Sequence, residues 1–258
     1  MRSESVPTEG QDDIDWVFPE KTEVCCVTDK QYIPEKGESR VGIIKTISGR
    51  FINYCYLITD NETRSSVLVD PAWEKDKIIS YVISSGSDVK AILLTHSHHD
   101  HTNLAEDLSA EMGIPVFMSR KEIEYYSFSI GGLIPVDDGD IIELGEMKIQ
   151  CILTSGHTAG GMCYMIFDSI FTGDTVFFEG CGDCGLAGGS AVEMYGSVRK
   201  LIDILSSHIR VYPGHSYGES PGKTFGTMME KNIYFRIADI KTFVEYIMRR
   251  KNRLYKFK

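Results

Sequence analysis

An α/β architecture, mixed sheets covered by helices, follows from three features of this 258-residue chain. Strand-length runs of β-branched and aromatic residues recur from Val41 onward. Amphipathic helical segments separate them into groups, and the densest chemical cluster, His96 to His101, directly follows the apolar run Ala91 to Leu94. Strands grouped between separate helices pack as layers, with the helices on outer faces. The length suffices for a full core, and 42% hydrophobic with 25% charged residues is an ordinary globular composition.

Residues 1–40 mix Ser, Glu, Asp, Pro and Gly with few periodic apolar positions. They are expected to form an N-terminal extension, partly disordered, with at most a short docked piece at Ile14 to Phe18. The main domain is expected over 41–220, and 221–258 as a helical segment completing it. Val41 to Ile47, Ile52 to Ile58 and Ser66 to Asp70 read as an opening antiparallel meander, bounded by Gly49 and by Asp60-Asn61. A helix over Asp76 to Ser84 places Ile78, Ile79, Val82 and Ile83 on one stripe, with Gly86 where a helix-ending glycine belongs.

After the strand Lys90 to Thr95, Asn103 with Glu106 reads as a capping pair opening a helix with Leu104, Leu108 and Met112 on its apolar face and Gly113 as its stop. Further strands are expected at Pro115 to Met118, Asp140 to Leu144, Met147 to Thr154, Met162 to Phe167 and Ile209 to Tyr212. Ser190 and Glu193 form a capping box before a helix with Met194, Val198, Leu201, Ile202 and Leu205 on its face. Ile233, Ile237, Ile240, Val244 and Ile247 predict a C-terminal helix to Arg250. Its basic end, Arg249, Arg250, Lys251, Arg253, Lys256 and Lys258, suits the negative pole of a helix dipole.

A formal net charge of -10 repels polyanions and argues against a nucleic-acid partner. No window is apolar for the thickness of a bilayer, and the first residues lack a basic start followed by an apolar run, so no membrane partner and a cytoplasmic location are expected. Seven cysteines, an odd number scattered through strand-like segments such as Cys55, Cys151 and Cys163, suit reduced, buried thiols.

Thr95 to His101 holds four of the seven histidines and Asp100. Ligands spaced i, i+2 at a strand end can point into one cleft, and imidazoles with carboxylates suit zinc, iron or manganese. Other candidates sit beside glycine: His157 after Gly156, Asp174 after Gly173, His215 after Gly214. Glycine permits the sharp turn that delivers the next side chain to a shared point on a sheet edge. A lone histidine is by default a core or surface residue, a reading that does not account for five histidines and two aspartates in this order.

The series His96-x-His98-x-Asp100-His101, Gly156-His157-Thr158, Gly173-Asp174 and Pro213-Gly214-His215 resembles the metallo-β-lactamase superfamily over most of the chain. The resemblance implies an αββα sandwich, two mixed sheets flanked by helices. It also implies two divalent metal ions, zinc foremost with iron or manganese as other occupants. His96, His98 and His157 would hold the first ion, and Asp100, His101 and His215 the second. Asp174 would bridge them, and with Asp100 would serve catalysis through a metal-bridging hydroxide. His99, between ligand positions, is expected to point away, and His208 to be exposed.

Gly173 to Gly182, Met194 to Ser197, and Pro213-Gly-His with Lys231 to Phe235 resemble the glyoxalase II branch, which hydrolyses S-acyl glutathione. The branch's cationic and tyrosine contacts to glutathione are replaced here by Asp183, Cys184 and Gly185; only Tyr217 matches that cradle. Tyr217, Cys181, Asp183 and Cys184 are therefore the substrate-side candidates, and an acid there repels glutathione's carboxylates. Cys181-Gly-Asp-Cys184 reads as a loop, a redox pair being the other reading. The Gly-Cys-Gly-x-Cys and Pro-Gly-His-Ser-x-Gly pattern is similar to accessory metallo-hydrolases of trans-acyltransferase polyketide synthase clusters.

That resemblance implies a thioester hydrolase acting on a small thioester or an acyl-carrier protein. A thiolate leaves without a strong general acid, and no obvious one stands in the sequence. The alternatives are a hydroxyacylglutathione hydrolase, a persulfide dioxygenase with one iron, and a non-catalytic scaffold stabilised by metal.

Overall fold

The computed structural model describes residues 24–25, 39–49 and 51–254. The expected docked piece at Ile14 to Phe18 lies outside the described residues. In chain order the first half comprises β1 (Val24–Cys25), β2 (Ser39–Ser48), β3 (Phe51–Asp60), β4 (Ser65–Val69), α1 (Lys75–Ser85), β5 (Asp88–Leu93), α2 (His99–Thr102), α3 (Ala105–Met112), β6 (Val116–Ser119), α4 (Arg120–Tyr126) and β7 (Leu133–Val136). The second half comprises β8 (Ile141–Leu144), β9 (Met147–Leu153), β10 (Met162–Ile166), β11 (Ser169–Gly173), β12 (Val176–Phe177), β13 (Gly180–Cys181), α5 (Ala191–Ile204), β14 (Arg210–Pro213), α6 (Phe225–Lys231) and α7 (Ile240–Leu254).

Strands β2 to β7 form one six-stranded sheet in sequence order, antiparallel through β4 and parallel from there on. The other sheet runs β1-β8-β9-β10-β11-β14, and β14 joins it parallel to β11. β12 and β13 make a separate hairpin. Period-2 side chains decide which faces meet: Tyr56, Ile58, Val67 and Val69 of the first sheet pack against Ile149, Cys151, Tyr164 and Phe171 of the second. The opposite face of the first sheet is covered by α1 and α3 through Ile78, Val82, Ala105 and Leu108. The opposite face of the second is covered by α5, α6 and α7 through Met194, Val198, Leu201, Phe225, Met228, Phe243 and Ile247. Helix, sheet, sheet, helix is the αββα sandwich.

The opening meander and the capping box of α5 stand as expected; the Ser190 hydroxyl accepts from the Glu193 N–H. Three expectations need correction. Ile83 is 73% exposed, because α1 turns only Ile78 and Val82 fully onto the sheet. Asn103 does not cap α3, which starts at Ala105; it ends the short α2, and its Oδ1 accepts from the Trp73 N–H at 3.0 Å. The C-terminal helix is broken: Ile233–Phe235 is a 3-10 turn, and Asp239 accepts from the N–H and hydroxyl of Thr242 at the start of α7. Ile233 and Ile240 are thus exposed, while Phe243 and Ile247 are buried. No described helix is long and apolar enough to cross a membrane.

Candidate metal centre

The connections that follow four strands meet at one rim of the sandwich. His96 and His98 follow β5, Asp100 and His101 ride on α2, His157 follows β9, Asp174 follows β11 and His215 follows β14. The approach is too close for side chains at two turns. Gly173 sits at φ 47°, and a Cβ there would fall 2.3 Å from the Thr95 hydroxyl; a Cβ on Gly214 would fall 2.5 Å from the His101 ring and 2.6 Å from Asp174 Oδ1.

All seven candidate ligands come together, six of them in two trios and Asp174 between the two. His98 Nδ1 lies 3.1 Å from His96 Nε2 and 3.0 Å from His157 Nε2. Asp100 Oδ2 lies 3.4 Å from His215 Nε2 and 3.7 Å from His101 Nε2. Asp174 sits between the trios, with Oδ1 3.5 Å from His101 Nε2 and Oδ2 3.6 Å from His157 Nε2 and 3.4 Å from His215 Nε2.

The histidine protons are committed on the far side. His96 Nδ1 lies 3.0 Å from the Thr95 hydroxyl, which gives its own proton to Asp70 at 2.6 Å, so the imidazole is the donor. His101 Nδ1 donates to Asp70 Oδ2 at 2.9 Å, His157 Nδ1 to the Asp183 carbonyl at 2.8 Å, and His215 Nδ1 to the Ile52 carbonyl at 2.7 Å. Such partners fix the tautomer and aim Nε2 at a cation. His101 Nε2 and Asp174 Oδ1 are buried without a hydrogen-bond partner among the described residues. Orphaned buried acceptors and facing imidazole nitrogens fit a divalent cation, and five imidazoles with two carboxylates fit zinc, iron or manganese.

The trios differ electrically. Burial lowers the His96 pKa well below its ordinary value, helped by His101 and His157, and burial with His157 lowers that of His98. Burial also opposes charge on His215, but hydrogen bonds to Asp100 and Asp174 push its pKa up to about 11. His101 is raised in the same way, its burial outweighed by Asp174 and Asp70. Burial would raise both carboxylates, yet His101 and His215 hold Asp100 and Asp174 below the usual range.

The remaining candidates scatter. His99 is exposed, edge-on to Trp73 with ring centroids 5.6 Å apart, and His208 is exposed. Tyr217 is 53% exposed, its ring 4.8 Å from Phe177 and 6.2 Å from His215. Cys184 is 5% exposed within the core beneath the second sheet, its thiol toward the Gly182 carbonyl, and burial with Asp183 pushes its pKa up to about 12. Asp183 is exposed, its carboxylate folded back to the Gly185 N–H, and Cys181 lies half-buried in β13.

Three supporting residues escaped the sequence reading. Buried Asp70, at φ 49°, collects Thr95 N–H, Thr95 hydroxyl and His101. Asn53 donates to the Asp100 carbonyl and carboxylate while accepting from Trp73 Nε1. Glu122 binds Ser97 and Gly160. The available signal for Asp70 was an acid ending the apolar run Val67-Leu-Val69.

Comparison with known proteins agrees with this geometry. The family model described as "Metallo-beta-lactamase superfamily" matches residues 48–215. The "Probable polyketide biosynthesis zinc-dependent hydrolase PksB" of Bacillus subtilis is 46% identical over 220 residues, 85% of this chain and 98% of that protein. The "Hydroxyacylglutathione hydrolase" of Maricaulis maris is 36% identical over 171 residues, 65% of this chain and 64% of that protein. Among solved structures, ETHE1 from Myxococcus xanthus superposes with a TM-score of 0.70 at 24% identity, covering 80% of this chain and 89% of that one, a likeness of fold.

Proposed function

The chain belongs to the metallo-β-lactamase superfamily, and from that premise we propose that it is a zinc-dependent hydrolase of thioesters presented on the phosphopantetheine arm of an acyl-carrier protein. The observation that carries the reading is the convergence of five histidines and two aspartates, with the Nδ1 of His96, His101, His157 and His215 committed outward. In it, His96, His98 and His157 would hold one ion, Asp100, His101 and His215 the other, with Asp174 between the two trios. Bound ions of this kind supply a water ionised near neutral pH and polarise a carbonyl.

The chain's own residues bind and orient. Asp70, Asp183 and Ile52 oxygens keep the imidazoles from turning, and Asn53 holds the Asp100 carboxylate. Tyr217 and Phe177 form an aromatic wall beside His215. The Tyr217 carbonyl accepts from the N–H of Glu179, and Glu179 with Gly180, Lys231, Tyr234 and Tyr246 lines a cavity of ≈ 640 Å³.

Asp183 at the exposed turn repels the carboxylates of glutathione, which supports weak turnover of glutathione thioesters. The basic end of α7, where Arg249 is 77% exposed, suits an acidic carrier protein. Neutralising Arg249, Arg250 and Lys251 should weaken carrier binding in a salt-dependent manner, and unchanged affinity would remove that contact.

The test is a hydrolysis panel of one acyl group on glutathione, pantetheine and carrier protein, run on enzyme of measured metal content. The reading expects two ions per chain and rates falling from carrier to pantetheine to glutathione. Equal rates would leave a generic thioesterase, fastest turnover of glutathione a hydroxyacylglutathione hydrolase, and a single iron without thioester cleavage a dioxygenase.

A further inference from the structure

We infer that Glu122 is a positioning residue for the three-imidazole half of the centre, a single buried carboxylate that sets the separation of the two loops carrying His96, His98 and His157. The inference rests on the reading that these histidines hold an ion. Glu122 sits in the first turn of α4, fully buried, and forms no ion pair among the described residues. A buried carboxylate is tolerated only when donors satisfy it. Its Oε1 accepts from the Ser97 N–H at 2.8 Å and the Ser97 hydroxyl at 2.7 Å; its Oε2 accepts from the Gly160 N–H at 2.7 Å.

Every one of those donors belongs to a metal-binding loop. Ser97 lies between His96 and His98, and Gly160 closes the turn that begins at His157. The packing is tight, since a Cβ on Gly160 would fall 2.2 Å from the Glu122 nitrogen. The rest of α4 braces the same turn: the Tyr126 hydroxyl accepts from the Ala159 N–H and donates to the Ala187 carbonyl, and Lys121 reaches Ser155 and Glu193. One oxygen on each loop makes the carboxylate a spacer of fixed length between His98 and His157, whose nitrogens meet at 3.0 Å.

Glu122→Gln tests this, because an amide has one acceptor oxygen and must turn an N–H toward either Ser97 or Gly160. Metal-free parent and variant are titrated with cobalt(II), followed by visible absorption, and their metal-free unfolding is compared. The expected result is one cobalt equivalent bound roughly 10- to 100-fold more weakly, the other within about threefold of the parent. Ser97→Ala, which removes only the hydroxyl donor, should loosen the same equivalent by less. Parental affinity for both ions in folded Glu122→Gln, or equal loss at both, overturns the inference. Should Glu122→Gln fail to fold, Ser97→Ala decides: selective loosening supports the role, and unchanged binding overturns it. A parent that takes up no cobalt would instead remove the metal reading beneath it.

Discussion

His96, His98 and His157 meet nitrogen to nitrogen, whereas Asp100, His101 and His215 meet around carboxylate oxygen, and the supports behind the two trios differ as much as the ligands. The first trio is braced by the Asp183 carbonyl, the Thr95 hydroxyl and the short helix α4. The second is braced from β3 and the end of β4, by the Ile52 carbonyl, Asn53 and Asp70. Burial lowers the pKa values of His96 and His98, while the carboxylates around the second trio raise those of His101 and His215 against their burial. Two neighbouring half-sites thus reach the same task by opposite routes, one by withholding charge and the other by balancing it. Asp174 touches both, so their independence can be probed from either side.

The severest way to break the comparison is Asp174→Ala. Loss of a group shared by both halves should cost more than the roughly 10- to 100-fold in metal affinity typical of a supporting residue, with hydrolysis falling further still. Metal analysis and initial rates read it, and parental rates would show the halves working without it. Next comes removal of metal by a chelator. Each trio joins residues of the first sheet's loops to a residue of the second's, so ions held there tie the layers together. A ligand at a thousand times its Kd adds about 4 kcal/mol, which at about 2–4 °C per kcal/mol is a Tm drop of roughly 8–16 °C. Calorimetry with and without chelator checks it; an unmoved Tm would mean the layers need no such tie.

Asp70→Asn sharpens the contrast, because an amide donor would face the donors at Thr95 and His101. His101 meets Asp70 directly and His96 only through Thr95, so the ion of the second trio should weaken by about tenfold or more and that of the first by less, as competition with a chromogenic chelator would show; equal weakening would merge the halves. Smallest is His99→Ala. Its ring faces Trp73 and solvent, so rates and metal content should stay within about twofold, the scale of a surface substitution. A large loss of bound metal would place His99 among the ligands.

The ligands were readable because they are chemically distinctive and punctuated: a cluster after an apolar strand, then single residues each behind glycine. Their supports were not. Asn53 lies inside a strand and Asp70 at the end of one, and neither spacing nor composition separates such residues from ordinary polar positions. Glu122 sits in α4, whose seven residues span barely two turns and show no helical period. α6, also seven residues, and the two-residue strands of the β12–β13 hairpin were invisible for the same reason. At the C-terminus the isoleucine spacing ran unbroken through the 3-10 turn and Asp239, where local hydrogen bonds restart the helix, so Ile233 and Ile240 counted toward a face that does not exist.

The order of the ligands along the chain carries a consequence for biosynthesis. Each trio needs one residue from the far half, His157 after β9 in one case and His215 after β14 in the other. A nascent polypeptide released only through β10 carries the three histidines of the first trio but neither the Asp183 carbonyl that orients His157 nor His215 of the second trio, which waits for the last strand of the sandwich to emerge. Chains cut short by premature termination or by proteolysis ahead of β14 would therefore lack His215 and with it the complete set of groups for hydrolysis.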